Sequence, residues 1–285
     1  MGGAIAARLS GGRLHLQHGP IDLVCWARGE AAAGALDAAI LAFGPVLETL
    51  VAERVLLRAP AGEVPAPVAG PVARRMVTAV HPYRAQFIMP MAAVAGAVAD
   101  HILVAMRAAG MLAAAYVNNG GDIALHLAPG EELGVGLVRD LALGQPEGAV
   151  AITHAMRVGG VATSGWPGRS FSLGIADAVT VLAWDAAAAD AAATVIANAV
   201  DSVHPAIRRA PATALDPDSD LGERLVTTAV GTLPAAVVAA ALDSGATKAA
   251  MLEQAGLIVA ALLFCQGGSR VCGEAAAVLG MFPPE

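Results

Sequence analysis

Between residues 112 and 184 the chain breaks into six short apolar runs: "LAAAYV" (112–117), "IALHL" (123–127), "LGVGLV" (133–138), "GAVAIT" (148–153), "AMRVGGVA" (155–162) and "AVTVLAW" (178–184). Runs of this length suit strands, and the glycine-rich joints between them suit tight turns, so the stretch predicts a sheet with several consecutive antiparallel strands. Longer segments of helical periodicity flank it. "PMAAVAGAVADHILVAMRAAG" (90–110) begins with proline and ends with glycine, as a helix of that length should. Residues 29–51 and 185–202 predict two more long helices. Leu14–Gln17 and Ile21–Trp26, joined by "HGP", predict an opening hairpin, and the Pro- and Gly-rich residues 58–72 predict a loop. The remainder alternates helices with a last strand near 257–264. The expectation is an α/β fold, a mixed sheet with packed helices, forming one domain over residues 1–285 because no linker separates two cores.

The last of the three long helices is unusual in its polar residues. "ADAAATVIANAVD" (189–201) carries Asp190, Thr194, Asn198 and Asp201 and no Lys, Arg or Glu. At about 100° per residue these four fall within roughly 80° of one another. A solvated helix face normally uses long charged side chains, which favour helices and cover apolar neighbours. Short oxygen-bearing side chains are instead the ligand set of hard cations such as Mg2+, which takes one or two carboxylates and leaves other positions to water and phosphate.

Bulk properties exclude several classes. With 56% hydrophobic and 14% charged residues the 285-residue chain can bury a large core. A net charge of -7, with only Arg74-Arg75 and Arg208-Arg209 as close basic pairs, gives no footprint for nucleic acid or anionic lipid. Three cysteines, Cys25, Cys265 and Cys272, make neither a disulfide framework nor a metal motif. The N-terminal "MGGAIAARLSGGRLHLQHG" carries no export pattern, so a cytoplasmic location is expected. The apolar run 255–265 is about half the ~20 residues of a membrane span, and 225–242 is interrupted by threonines, glycine and Pro234, so both read as core and no membrane partner is expected. The large apolar content predicts a homodimer.

Two glycine turns complete the pattern. "VNNGGD" (117–122) reads first as a hairpin, and "GGVATSGWPGRS" (159–170) offers backbone amides and the hydroxyls of Thr163 and Ser164 to an anion. Taken in order, Gly96 and Asp100 on a helix, "VNNGGD", "ATSG" (162–165) and "VTVLAWDAAAADAAAT" (179–194) resemble the superfamily of ApbE-type FAD:protein FMN transferases. The resemblance extends along the chain to a distinct cytoplasmic branch showing "PMAAVAGAVAD", "SLGIADAVTVLA" and "ANAVD". It implies a T-fold-related architecture and a site for Mg2+ and FAD or a related flavin or nucleotide pyrophosphate. On it, Asp190, Thr194 and the carbonyl of Val94 would hold the metal. Gly96, Asn119, Gly120, Gly121, Asp122, Thr163, Ser164 and Gly165 would line the cofactor, and transfer of FMN or a phosphoryl group would follow.

The family pattern A-K-G-Y-x-x-D reads "VAGAVAD" (94–100) here, with Ala95 and Ala97 for its Lys and Tyr, and "RSFSLGIADAV" (169–179) replaces its H-x-x-x-P-x-T-G segment. Asp177 is then the candidate base, and Arg169 and Ser170 are the candidates for phosphate contact. Two alternatives follow: a ligand binder without catalysis, and an accessory enzyme of sulfur assimilation. Other constellations are weaker. "SFSLG" (170–174) lacks the first glycine of a nucleophile elbow. His15 and His18 lie three apart in a strand and turn and do not converge, His126 is the least ordinary histidine, and Asp216, Asp218 and Asp220 read as a helix N-cap rather than a calcium loop.

Overall fold

The computed structural model describes residues 3–138 and 148–273. In chain order its strands are β1 Ile5–Arg8, β2 Leu14–His18, β3 Ile21–Arg28, β4 Ala114–Asn119, β5 Asp122–Leu127, β6 Glu132–Leu137, β7 Gly148–Thr153, β8 Gly160–Ser164, β9 Ala178–Ala183, β10 Ile207–Pro211, β11 Leu225–Val230, β12 Ala260–Cys265 and β13 Gly268–Gly273. Its helices of seven residues or more are α1 Ala32–Phe43, α2 Val46–Ala52, α3 Pro71–Val80, α4 Val94–Ala108, α5 Ala186–Ala199 and α6 Ala235–Gln254. This is the α/β class expected, with antiparallel pairing dominant. The described residues fall into two compact units.

The first unit comprises the described residues up to Gly134 together with Ala151–Ala162 and Ala183–Ala191. Strands β1 to β5 follow one another in antiparallel order, and β5 continues onto the start of β8 through Ile123↔Val161 and Ala124↔Gly160. The strands alternate as a one-sided sheet requires. Leu14, Leu16, Ile21, Leu23 and Cys25 point to the core, where α1, α3 and α4 supply Phe43, Met76, Ile102 and Met106. The sequence predicted one helix over 29–51. The structure has two, because Pro45 removes an amide donor and its ring opposes helix continuation after Gly44. The loop predicted over 58–72 ends where Pro71 opens α3 as its first residue. A short 3-10 turn, Pro90–Ala93, leads into α4, and Gly110 (φ 143°) follows its end.

In the second unit, which holds the described residues of 135–150, 163–182 and 192 onward, β9, β12 and β13 pair antiparallel. Helix α6 sets Val238 and Leu242 beside Gly268. Strands β10 and β11 form a ribbon with an irregularity at Arg208/Arg209. The last strand predicted near 257–264 is β12, and β13 hairpins back on it. Two of the six predicted strands, β6 and β7, make a separate two-stranded sheet rather than joining the large one.

Three helical stretches, 32–52, 90–108 and 235–254, are long and apolar enough to cross a membrane by length and composition alone. Two of these, 32–52 and 90–108, lie outside the apolar runs 225–242 and 255–265 singled out in the sequence. The latter ends in β12, whose Ala260–Leu263 and Cys265 are buried. All three cysteines are free, and burial pushes the Cys25 and Cys265 thiols up to about 12.

Candidate functional site

Helix α4 begins at an alanine. Ala93 occupies its N-cap position and has no side-chain oxygen to satisfy the first amides. That role falls to Asp190, 94 residues further on, whose Oδ2 accepts the Gly96 N–H at 3.0 Å and whose carboxyl also takes that of Ala95. The arrangement is reciprocal. Asp100, on the second turn of α4, accepts the Ala186 N–H at 3.1 Å and the Ala187 N–H at 2.9 Å, the first amides of α5. Asp185 adds a local bond to the Ala188 N–H at 2.7 Å.

The two helix starts can approach this closely only because small residues meet there. A Cβ at Gly96 would lie 2.2 Å from the Ala186 carbonyl oxygen, and one at Gly160 would lie 2.2 Å from the Ala186 nitrogen. Asn119, at the end of β4 and 8% exposed, donates its side-chain amide to the Ala95 carbonyl at 3.0 Å. Gly120 (φ 64°) and Gly121 (φ 116°) form the two-residue turn to Asp122, closed by the Gly121 N–H to Asn118 Oδ1 at 2.8 Å. The first unit thus brings together Gly96, Asn119, Asp122 and Asp190 from three places in the sequence. Val94 is the partly exposed first residue of α4 beside them.

Electrostatics distinguish this point from ordinary capping. Burial raises the Asp190 carboxyl well above the usual carboxylate range, and the nearby charge of Asp122 raises it further, against the lowering effect of the Gly96 and Ala95 amides. Asp100 is pushed up to about 7, first by burial and then by Asp185, with its two amide bonds and Arg75 opposing. Such surroundings favour the neutral form of both carboxyls, and a bound cation would favour the charged form instead. In α5, Asp190, Thr194 and Asn198 are part-exposed, whereas Ala186, Ala187, Ala189, Ala191–Ala193 and Val195–Ala197 are buried.

The remaining sequence-predicted residues lie in the second unit. Thr163 and Thr180 share a hydroxyl contact of 2.8 Å between β8 and β9. Ser164 ends β8, and a Cβ at Gly165 would lie 2.5 Å from the Asp177 carbonyl. Asp177 accepts the Gln266 N–H in the β12–β13 turn, where Gln266 adopts φ 43°. Arg169 and Ser170 line a cleft of about 320 Å3 with Trp166 and Phe171. Asn198, noted in sequence only as part of the stripe, accepts the Leu173 N–H at 2.9 Å and the Ser172 hydroxyl at 3.3 Å.

Among the histidines, His126 meets the Leu112 carbonyl at 3.3 Å and His15 pairs with Asp22 at 3.1 Å. Buried His18 lies 3.5 Å from Glu48, so His15 and His18 do not converge. Asp216 takes the Asp218 N–H at 3.0 Å in a turn and caps no helix, since turn and coil follow it up to β11. Among the described residues no group of three His, Cys, Asp or Glu is placed to hold a metal. A zinc-type cage is thus not formed there, whereas a magnesium-type site with one or two carboxylates needs no such group.

The family model described as "AbpE bacteria" matches residues 6–271. The chain belongs to that ApbE-like family. It is also similar to a UPF0280 protein of Methanothrix thermoacetophila, 39% identical over 143 residues, 48% of this chain and 56% of that protein. A UPF0280 protein of Methanopyrus kandleri is 38% identical over 157 residues, 54% of this chain and 61% of that protein. The chain spans somewhat more than half the length of these curated relatives. Among solved structures, the apo form of the flavinyl transferase ApbE of Pseudomonas stutzeri aligns over 98% of this chain and 97% of that one, with TM-score 0.43 and 12% identity.

Proposed function

We propose that the ApbE-like chain binds a flavin or nucleotide pyrophosphate together with Mg2+ at the start of α4. Asp190 supplies the carboxylate, and Thr194, one turn along α5, supplies a hydroxyl. The Val94 carbonyl, Asp122 and the Asn119–Gly121 turn complete the surroundings, and transfer of FMN or a phosphoryl group is the reaction this ligand set suits. The observation that carries the reading is the Asp190 carboxyl, held at the start of α4 by the Gly96 amide and set beside Asp122. Its hard oxygen donors fit a magnesium ion, and the family resemblance supports the ligand class. When bound, the ion supplies Lewis-acid neutralisation of charge on a diphosphate. Asp190, fixed by the Gly96 amide, keeps its carboxylate in place without rearrangement.

A second reading, binding without turnover, is favoured by the helix-capping duty that Asp190 already performs. One experiment separates the two. The protein is incubated with FAD, with and without Mg2+, and the products are chromatographed for FMN and AMP. Magnesium-dependent release that disappears in Asp190→Asn, while the circular dichroism of the variant stays that of the parent, supports transfer. FAD retained without FMN release supports the binder. Release unaffected by Asp190→Asn overturns the placement of the metal.

A further inference from the structure

We propose that a cavity in the first unit, walled by residues 59–62 and 64–66 together with the end of α3, His81 and Pro90, binds a neutral single-ring molecule carrying one O–H or N–H group. This goes beyond the proposed function, since it uses neither the metal ligands nor the glycine turn.

Size sets the class of ligand. The cavity measures about 140 Å3, whereas sites for drug-sized molecules and cofactors run from roughly 300 Å3 upward. A cavity of about 150 Å3 lined by apolar side chains takes benzene. One ring therefore fills the space, and a nucleotide or flavin does not fit. Val77, Val80 and Pro90 form its buried apolar lining.

Chemistry sets the rest. Among the described lining residues only His81 has a polar side chain. Its backbone carbonyl accepts from Arg84 at 3.2 Å, while among the described residues its ring has no hydrogen-bond or ion-pair partner. Pro60, Pro65 and Pro90 bring carbonyls but no N–H, which makes the backbone of the lining richer in acceptors than in donors. A ligand with one donor and no charge suits these surroundings, because an ion would leave water for apolar walls that hold no charged side chain.

The walls are also held in place. The Ala61 N–H donates to the Ile88 carbonyl at 2.8 Å, which pins the 59–66 segment to the chain just before Pro90. Glu63 accepts from Arg84 Nε at 3.0 Å, and Arg84 directly follows the 3-10 turn His81–Tyr83. The prolines fix φ at three further points. A cavity braced in this way loses little freedom when it is filled.

The test follows the amide spectrum of the isotope-labelled full chain during titration with phenol, benzene and benzoate. Phenol should shift the amides of Ala61, Gly62 and Ala66 saturably, and benzene should shift the same amides with about fivefold weaker affinity, the size of effect expected for one hydrogen bond. His81→Leu should bring phenol down to the level of benzene. Ala66→Phe, which fills the cavity, should abolish binding of both; if its spectrum departs from the parent's far from the cavity, Ala61→Leu serves as the second filling variant. The proposal is overturned if no amide of residues 59–66 shifts saturably, if phenol binds no better than benzene, or if benzoate binds as well as phenol. It is overturned equally if His81→Leu keeps the advantage of phenol, or if a folded filling variant binds phenol as the parent does.

Discussion

The starts of α4 and α5 solve one problem with the same residue type and end in different states. Each helix has its first amides satisfied by an aspartate borrowed from the other: Asp190 serves α4 and Asp100 serves α5. Asp100 is 5% exposed and spends both oxygens on two amides, with Arg75 as a balancing charge. Asp190 is part-exposed and has Asp122, another carboxylate, as its neighbour. Helix capping alone would be better served by the first arrangement. The second sets two carboxyls close together, so the contrast separates a structural aspartate from one suited to a cation.

The largest test of this contrast is steric. Gly96→Val places side-chain atoms where the Ala186 carbonyl stands, and it should cost about 3 kcal/mol or more in urea unfolding, the upper range for overpacking. A cost below about 1 kcal/mol would mean the two helix starts are not held together as described.

Next comes pH. The Asp100 carboxyl is raised from 3.8 to about 7 in the folded chain, so across that window the folded state keeps a proton the unfolded state has lost. Stability contributed by this group is complete below pH 4 and falls as pH rises towards 7, by about 4 kcal/mol. Asp100→Asn should flatten that part of the stability profile, measured by denaturant midpoints from pH 4 to 8, and an unchanged slope would refute the assignment. Removal of the Asn119 amide is a smaller perturbation: Asn119→Ala leaves the Ala95 carbonyl without its donor and should cost about 1–2 kcal/mol. The smallest effect sharpens the contrast most. Asp190→Asn keeps an acceptor for the Gly96 amide and removes the repulsion with Asp122, so without metal its thermal midpoint should correspond to a change within about 1 kcal/mol of the parent. The parent, and not this variant, should gain stability on adding Mg2+. A metal-dependent shift of equal size in both proteins would return Asp190 to a purely structural role.

Much of this region was legible in the sequence. The short oxygen-bearing stripe on α5, the glycine turn 118–122 and the Pro-to-Gly helix 90–110 each obey local rules, and the family resemblance set Gly96, Asp100, Asp122 and Asp190 in one list. What stayed hidden is long-range. A cap supplied 94 residues away leaves no local mark, and Ala93 at the N-cap position gave no sign that α4 was capped at all. Gly160 read as part of an anion-holding loop, yet its lack of a side chain makes room for the Ala186 backbone. The role of Asn198 depends on where residues 172–174 pass, which periodicity does not encode. Strand membership failed for a related reason: β6 and β7 have the alternation of sheet strands, but a turn-bounded run does not declare which sheet it will join.

The exchanged aspartates have a kinetic corollary. Detaching either helix would strip the opening amides of both, so the protons on Gly96 and Ala186 should exchange with solvent at matched rates, governed by one common breathing event rather than by separate fraying of two ends.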